Sequence, residues 1–294
     1  MTKQKRFTNR EISWLAFNER VLSEAADPSV PLMERIKFLG IFSNNRDEFF
    51  RVRVASVKRL AIMNEHIEDS GDDPKEVFAE IQKVTIRQQQ MYEGIYKNLI
   101  EELKKQNVHI INESQLSSTQ KEFVSKYYQE KVDPIIGPIM LDQVRHFPEL
   151  RDKAIYLAAV LVKEDSKKKL VNQYALMEVP SSLPRFVRLP DEDGAKFIII
   201  LDDIIRFNLS EAFYFFKPIE VKAFTFKITR DAELDLDNDI SKSFLEKMKK
   251  SLKARKKGAP VRFVFDAEMP KEMQKYLARK MNLTSLEDAF IPGG

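Results

Sequence analysis

Apolar residues at Ile12, Leu15, Ala16, Val21, Leu22 and Ala25 recur at helical spacing, and Thr8 with Glu11 forms the T-x-x-E pattern that satisfies free amides at a helix start. A first helix is therefore expected to run to about Ala26. The segment "DPSVP" breaks it, because Pro28 and Pro31 each disfavour helix in the residue before them. A second stripe through Leu32, Ile36 and Leu39 is expected to end near Gly40, and a third helix to open on "NNRDEFFRVRVASVKRL" with Asn45 and Glu48 as its capping box. After a loop at "EDSGD", Val77, Phe78, Ile81, Val84, Met91, Tyr92, Ile95, Leu99 and Leu103 mark a helix of about 30 residues, roughly 45 Å long. Four helices with short connections predict a small antiparallel bundle.

Past Gln106 the period changes from helical to extended. The runs "NVHII", "KAIYLAAVLV", "NQYALMEV", "RFVRL", "KFIIIL", "KAFTFKIT" and "PVRFVF" are rich in branched and aromatic residues and bounded by turn formers, which predicts strands. Helical stripes intervene at Thr119 to Val132, Ile240 to Arg255 and Lys271 to Met281, the last with Pro270 in its first turn. The fold class is thus multidomain: an all-α bundle over residues 1–106, followed by an α+β domain over 107–294 with a mixed or antiparallel sheet. Near residue 106 no Pro/Gly linker separates the two, so the long helix serves as their joint.

Composition narrows the chemistry. Lys and Arg number 49 against 45 Asp and Glu, a net charge of +4 that predicts neither nucleic acid nor membrane binding by itself. The absence of cysteine removes disulfides, thiol nucleophiles and zinc-thiolate sites together. His66, His109 and His146 lack the spacing of a helical metal site. The amino terminus is charged and no run of about 18 apolar residues follows, which reads as a soluble intracellular, cytoplasmic protein.

Three charged or polar constellations carry alternatives. Asp235, Asp237, Asp239 and Glu246 mimic calcium-loop spacing, but Ile240 replaces the turn glycine and Asp239 explains itself as a helix cap, so no metal is assigned. The cluster Lys247 to Lys257, closed by Gly258, is either a helix C-terminus stabilised by its dipole or a polyanion track; no aromatic interleaves it for base stacking. Arg185 and Arg188 read as solvated strand residues. At Asn44 and Asn45, a cap needs only one amide. A carboxamide also sets a donor beside an acceptor, the pattern complementary to the N6 and N7 edge of adenine.

The stretch "EISWLAFNERVLSEAADPSVPLMERIKFLGIFSNNRDEFFRVRV" resembles the amino-terminal signature of bacterial polyphosphate kinases, which make inorganic polyphosphate from ATP. The likeness continues in "YALMEVPSSLPRFVRLP", "IILDDIIRFNL", "KITRDAELDLD" and "PVRFVFDAEMP", and so covers nearly the whole chain. It implies a helical amino-terminal domain and an α+β head domain, with two phospholipase D-type domains beyond "FIPGG" holding the reaction centre and the autophosphorylated histidine. His66, His109 and His146 then inherit no catalytic role, and this part alone is expected to be inactive.

The resemblance carries an ATP contact over to Asn45, the second asparagine of S-N-N, so that one of the two amides finishes a helix turn while the other faces adenine. It also implies ATP/ADP and polyphosphate as substrates, Mg2+ held outside this chain, and homodimer contacts through the head domain. Nucleic acid is disfavoured and peripheral membrane contact stays open. The rival reading is a stand-alone module that binds an anion or RNA without catalysis.

Overall fold

The computed structural model describes residues 8–63, 67, 71–165, 167–232, 260–281, 283 and 290–292. Most of the acidic run beginning at Asp235, the stripe Ile240 to Arg255, the basic cluster Lys247 to Lys257, His66 and most of the "EDSGD" loop lie outside the described residues. The chain divides into two compact units. One comprises residues 1–99, 228–263 and 281–293, the other residues 100–227 and 264–280.

The first unit is built on helices. Helix α1 (Arg10–Ala26) starts on Asn9, whose side-chain oxygen accepts from the Glu11 amide at 2.9 Å while its amide donates to Asp72 at 2.8 Å. The cap is therefore Asn9, one residue past the expected Thr8, and the expected Thr8–Glu11 box does not form. Helix α2 (Leu32–Phe49) follows Pro31, passes Gly40 without interruption, and leads through a π-helical turn (Phe50–Val54) into α3 (Ala55–Met63). The expected break at Gly40 does not occur. A lone helical glycine costs about 1 kcal/mol relative to alanine, too little to stop a helix whose Leu39, Phe42, Phe49 and Phe50 are all buried. Helix α4 (Pro74–Lys105) spans 32 residues, as its stripe predicts. Leu22, Ala25, Leu39, Phe42 and Leu99 form the core where α1, α2 and α4 meet.

In the second unit, β1 (Val108–Ile111) pairs in parallel with β6 (Lys196–Ile200), and β5 (Phe186–Arg188) pairs antiparallel on its other side. A second sheet has β2 (Ile139–Met140), β4 (Leu170–Glu178), β3 (Ile155–Glu164) and β7 (Glu220–Arg230) as successive neighbours, while β8 (Pro260–Phe265) and β9 (Phe290–Pro292) fall wholly or mostly in the residues of the first unit. β3 is central and antiparallel to both β4 and β7. One sheet is thus mixed, and in the other β2, β4, β3 and β7 pair antiparallel. All seven expected strands form, whereas β2 and β9 are too short to show a period.

Helix α5 (Ser118–Tyr127) begins on a capping box of Ser117 and Gln120 and ends in a π turn over Tyr128–Val132. Tyr128 is fully buried among Leu157, Leu161 and Ile204 of the same core. Two short helices, α6 (Leu201–Phe207) and α7 (Leu209–Ala212), follow β6, and α8 (Lys271–Lys280) follows Pro270, whose carbonyl accepts from Gln274.

Helix α6 places two acids side by side in this core. Asp202 is 1% exposed and pairs with Arg185 at 2.9 Å, while Asp203 pairs with Arg206. Burial nevertheless pushes the Asp203 carboxyl up to about 7, Arg206 opposing and the charges of Glu113 and Asp202 adding to the rise. The folded state then binds a proton that the unfolded chain has already released between about pH 4 and pH 7. The stability due to that proton is complete at the acid end of this window and lost as pH rises through it. Relative to Asp203→Asn, the parent should lose on the order of 2–4 kcal/mol across that window. Denaturant unfolding of both proteins from pH 4 to pH 8 measures it, and parallel pH profiles would contradict the assignment.

Candidate functional site

Along α1 the residues Leu15, Asn18, Leu22 and Ala25 are all buried, at the spacing of one helical face. Three are apolar and one is a carboxamide. A buried amide costs free energy unless it is hydrogen-bonded, and Asn18, fully shielded from solvent, has partners at both ends. Its Nδ2 donates to the Phe42 carbonyl at 3.2 Å, and its Oδ1 accepts from Asn45 Nδ2 at 3.0 Å.

Asn44 and Asn45 thus sit inside α2, well short of its carboxy-terminal end at Phe49, and neither caps a helix. The expected N-x-x-E box of Asn45 and Glu48 is absent because the backbone amides it would satisfy are already inside a continuous helix. Asn44 is exposed. Asn45 is half-buried, its amide turned to Asn18 and its Oδ1 without a hydrogen-bond partner among the described residues.

Next to Asn45, Arg46 is buried under the same helix face. Its guanidinium lies 5.1 Å from the Phe42 ring and 5.8 Å from the Tyr92 ring of α4, and its Nε and Nη1 have no hydrogen-bond partner among the described residues. Burial, and secondarily the charge of Arg262, lowers its pKa to about 9, so it remains a cation at neutral pH. Arg262 of β8, also buried, meets Asp47 at 2.8 Å and covers the Phe50 ring at 5.0 Å. Its pKa is likewise lowered by burial, with Asp47 opposing. Two positive charges and one negative charge are therefore gathered under residues 45–50. Attraction of each cation to an aromatic face offsets part of the desolvation.

Among the described residues no group of three or more histidine, aspartate or glutamate side chains is placed to hold a metal ion. His109 stacks on Phe197 within the three-stranded sheet, ring centroids 4.9 Å apart. Arg188 is an exposed residue of β5, as expected, and pairs with Asp191 at 2.6 Å, whereas Arg185 precedes the strand and pairs with buried Asp202. No helix of the described residues is long and apolar enough to cross a membrane.

Comparison with known proteins places this geometry. Residues 7–111 match the family described as polyphosphate kinase N-terminal domain, and residues 119–294 match the polyphosphate kinase middle domain. The chain belongs to the polyphosphate kinase family. It is 42% identical to the polyphosphate kinase of Vibrio parahaemolyticus and 39% identical to that of Escherichia coli K12, in each case over all of this chain and 42% of the relative. A crystal structure of polyphosphate kinase from Porphyromonas gingivalis superposes with a TM-score of 0.76 at 32% identity, over 98% of this chain and 39% of that one. The chain therefore spans about two fifths of the length of the polyphosphate kinases it matches. A helical part followed by mixed and antiparallel sheets is the architecture the sequence predicts.

The site residues that sequence reasoning passed over are Asn18, Arg46 as a buried group, and Arg262. Asn18 has a signal, a lone amide between Leu15 and Leu22 on an apolar stripe. Arg46 has a weaker one, at i+4 from Phe42 and i−3 from Phe49. Arg262 has none, since "PVRFVF" reads as a strand on either face.

Proposed function

We propose that this chain is the amino-terminal part of an enzyme that reversibly transfers the terminal phosphate of ATP to inorganic polyphosphate. The nucleophilic histidine would lie outside these 294 residues, and this part would contribute ATP positioning through Asn45 and dimer assembly through its α+β domain. One observation carries the reading: in a chain of this family, the second amide of S-N-N is half-buried, fixed at one end by Asn18, and its acceptor oxygen has no hydrogen-bond partner among the described residues. Such a group can receive a hydrogen bond from a ligand without first breaking one to the protein. Electrostatic clamping of the transferred phosphoryl falls to groups elsewhere. The Mg2+ that the family implies would be held by residues outside this chain.

Asn45→Ala in the full-length protein tests this. It should raise KM for ATP about tenfold, the scale of one or two unmade hydrogen bonds. Asn45→Asp should fold less stably as well, because a carboxylate would face Asn18 Oδ1 as acceptor to acceptor; the cost is about 1–3 kcal/mol. A parental KM for ATP in folded Asn45→Ala would refute the nucleotide role.

A further inference from the structure

Hydrogen-bond polarity is transmitted through three groups. The Phe42 carbonyl can only accept, so the end of Asn18 that meets it at 3.2 Å must be the amide nitrogen. The opposite end of Asn18 is then an oxygen, which also can only accept. Asn45 must therefore present its own nitrogen at 3.0 Å, and its Oδ1 is turned to the other side. A backbone carbonyl on α2 thus determines which face of the Asn45 carboxamide is available. Reversing Asn45 would set two carbonyl oxygens against each other beside a fully buried partner.

We infer that Asn18 is a specificity-positioning residue: by fixing Asn45 with its acceptor outward, it selects nucleotides bearing a 6-amino group over those bearing a 6-oxo group. The inference rests on the reading of Asn45 as the ATP contact. An adenine 6-amino group donates and meets Oδ1 directly. A hypoxanthine or guanine 6-oxo group accepts and faces an oxygen, and could be met by a nitrogen only if the amide turned over. Sites that leave a buried polar group mismatched discriminate more strongly than sites that differ only in apolar contact. Asn18 need not touch the nucleotide for this. Its contribution is the direction of its neighbour's dipole.

The experiment compares ATP with ITP, which exchanges the 6-amino for a 6-oxo group, in the full-length protein and in Asn18→Leu, Asn18→Asp and Asn45→Ala. Leucine keeps the branched shape of Asn18, removes both of its polar ends and frees the Asn45 amide to rotate. It should narrow the ATP:ITP ratio of kcat/KM about tenfold, chiefly through KM. Aspartate still offers an oxygen to Asn45 and should keep the parental ratio, while folding less stably because it no longer donates to the Phe42 carbonyl unless it is protonated. A merely structural role would lower activity with both nucleotides and leave the ratio unchanged. If Asn18→Leu does not fold, Asn18→Ala removes the same two groups without adding volume and is read in the same way. A parental ratio in the folded Asn18 variant, with KM for ATP raised in Asn45→Ala, overturns the inference alone. A parental KM for ATP in Asn45→Ala overturns the nucleotide reading, and the inference with it.

Discussion

Phe42→Ala is expected to lower the unfolding free energy of the helical unit by about 3–5 kcal/mol, the range for truncating a fully buried aromatic. Phe42 has no exposed surface and packs in the core of Leu22, Ala25, Leu39 and Leu99. Its ring also stacks on Tyr92 at a centroid distance of 5.9 Å and lies 5.1 Å from the Arg46 guanidinium. Truncation therefore opens a cavity and removes one of the two aromatic faces that hold a buried cation. The backbone carbonyl that receives Asn18 survives the substitution, so stability should fall further than nucleotide selectivity. Denaturant unfolding checks it, with Phe17→Ala, 48% exposed on α1, as the nearly neutral comparison. A loss below about 1 kcal/mol would mean that Phe42 is not in a close-packed core.

Arg262→Ala should cost a comparable amount, about 3–5 kcal/mol, for a different reason. Arg262 is 3% exposed, and removing it deprives the shielded Asp47 of the guanidinium it faces at 2.8 Å. Breaking a buried pair is expensive, whereas replacing both members by apolar groups of similar size is often neutral. Hence Arg262→Leu combined with Asp47→Leu should recover a large part of what Arg262→Ala loses. A double-mutant cycle by denaturant unfolding measures the coupling. Additive losses would show that the two side chains do not act as a pair. The charge of Arg262 also lowers the Arg46 pKa, so its removal should ease the burial of Arg46 and take a little off the total.

How far this fold could be read from sequence follows from the range of each interaction. The stripe over Val77 to Leu103 and the seven apolar runs after Gln106 are local patterns, and each formed the element its period predicts. Gly40 misled because propensity is a per-residue bias of about 1 kcal/mol, outweighed by the burial of Leu39, Phe42 and Phe49 on one face. Asn45 misled for a related reason: N-x-x-E marks a helix start only where a helix starts, and the break that would have made it one is missing. The resemblance to a family supplied the interest in Asn45, but the partner that fixes its amide, 27 positions away on α1, is set by tertiary packing. Arg262 and Asp47 stand 215 positions apart, beyond the reach of any local signal.

The π turn at Phe50–Val54 gives chain length an angular meaning. Each α-helical residue advances the side-chain direction by about 100°, and a π turn holds one residue more than the α-helix it interrupts. The helical path from Leu32 to Met63 therefore works like two gears joined out of phase, with Phe49 and Phe50 both turned inward although they are neighbours in sequence. Deleting one residue from this turn would restore ordinary pitch and leave everything after it facing nearly as before, because the wider turn already absorbs the roughly 100° of the extra residue, whereas the same deletion in the uninterrupted part of α2 would rotate everything after it by about 100°. Ala55, Val57 and Lys58 would keep the directions in which they are now buried, as would Asn45 upstream. The turn is a place where this helical path absorbs a change of length, and a single-residue deletion there is a loss of atoms before it is a change of orientation.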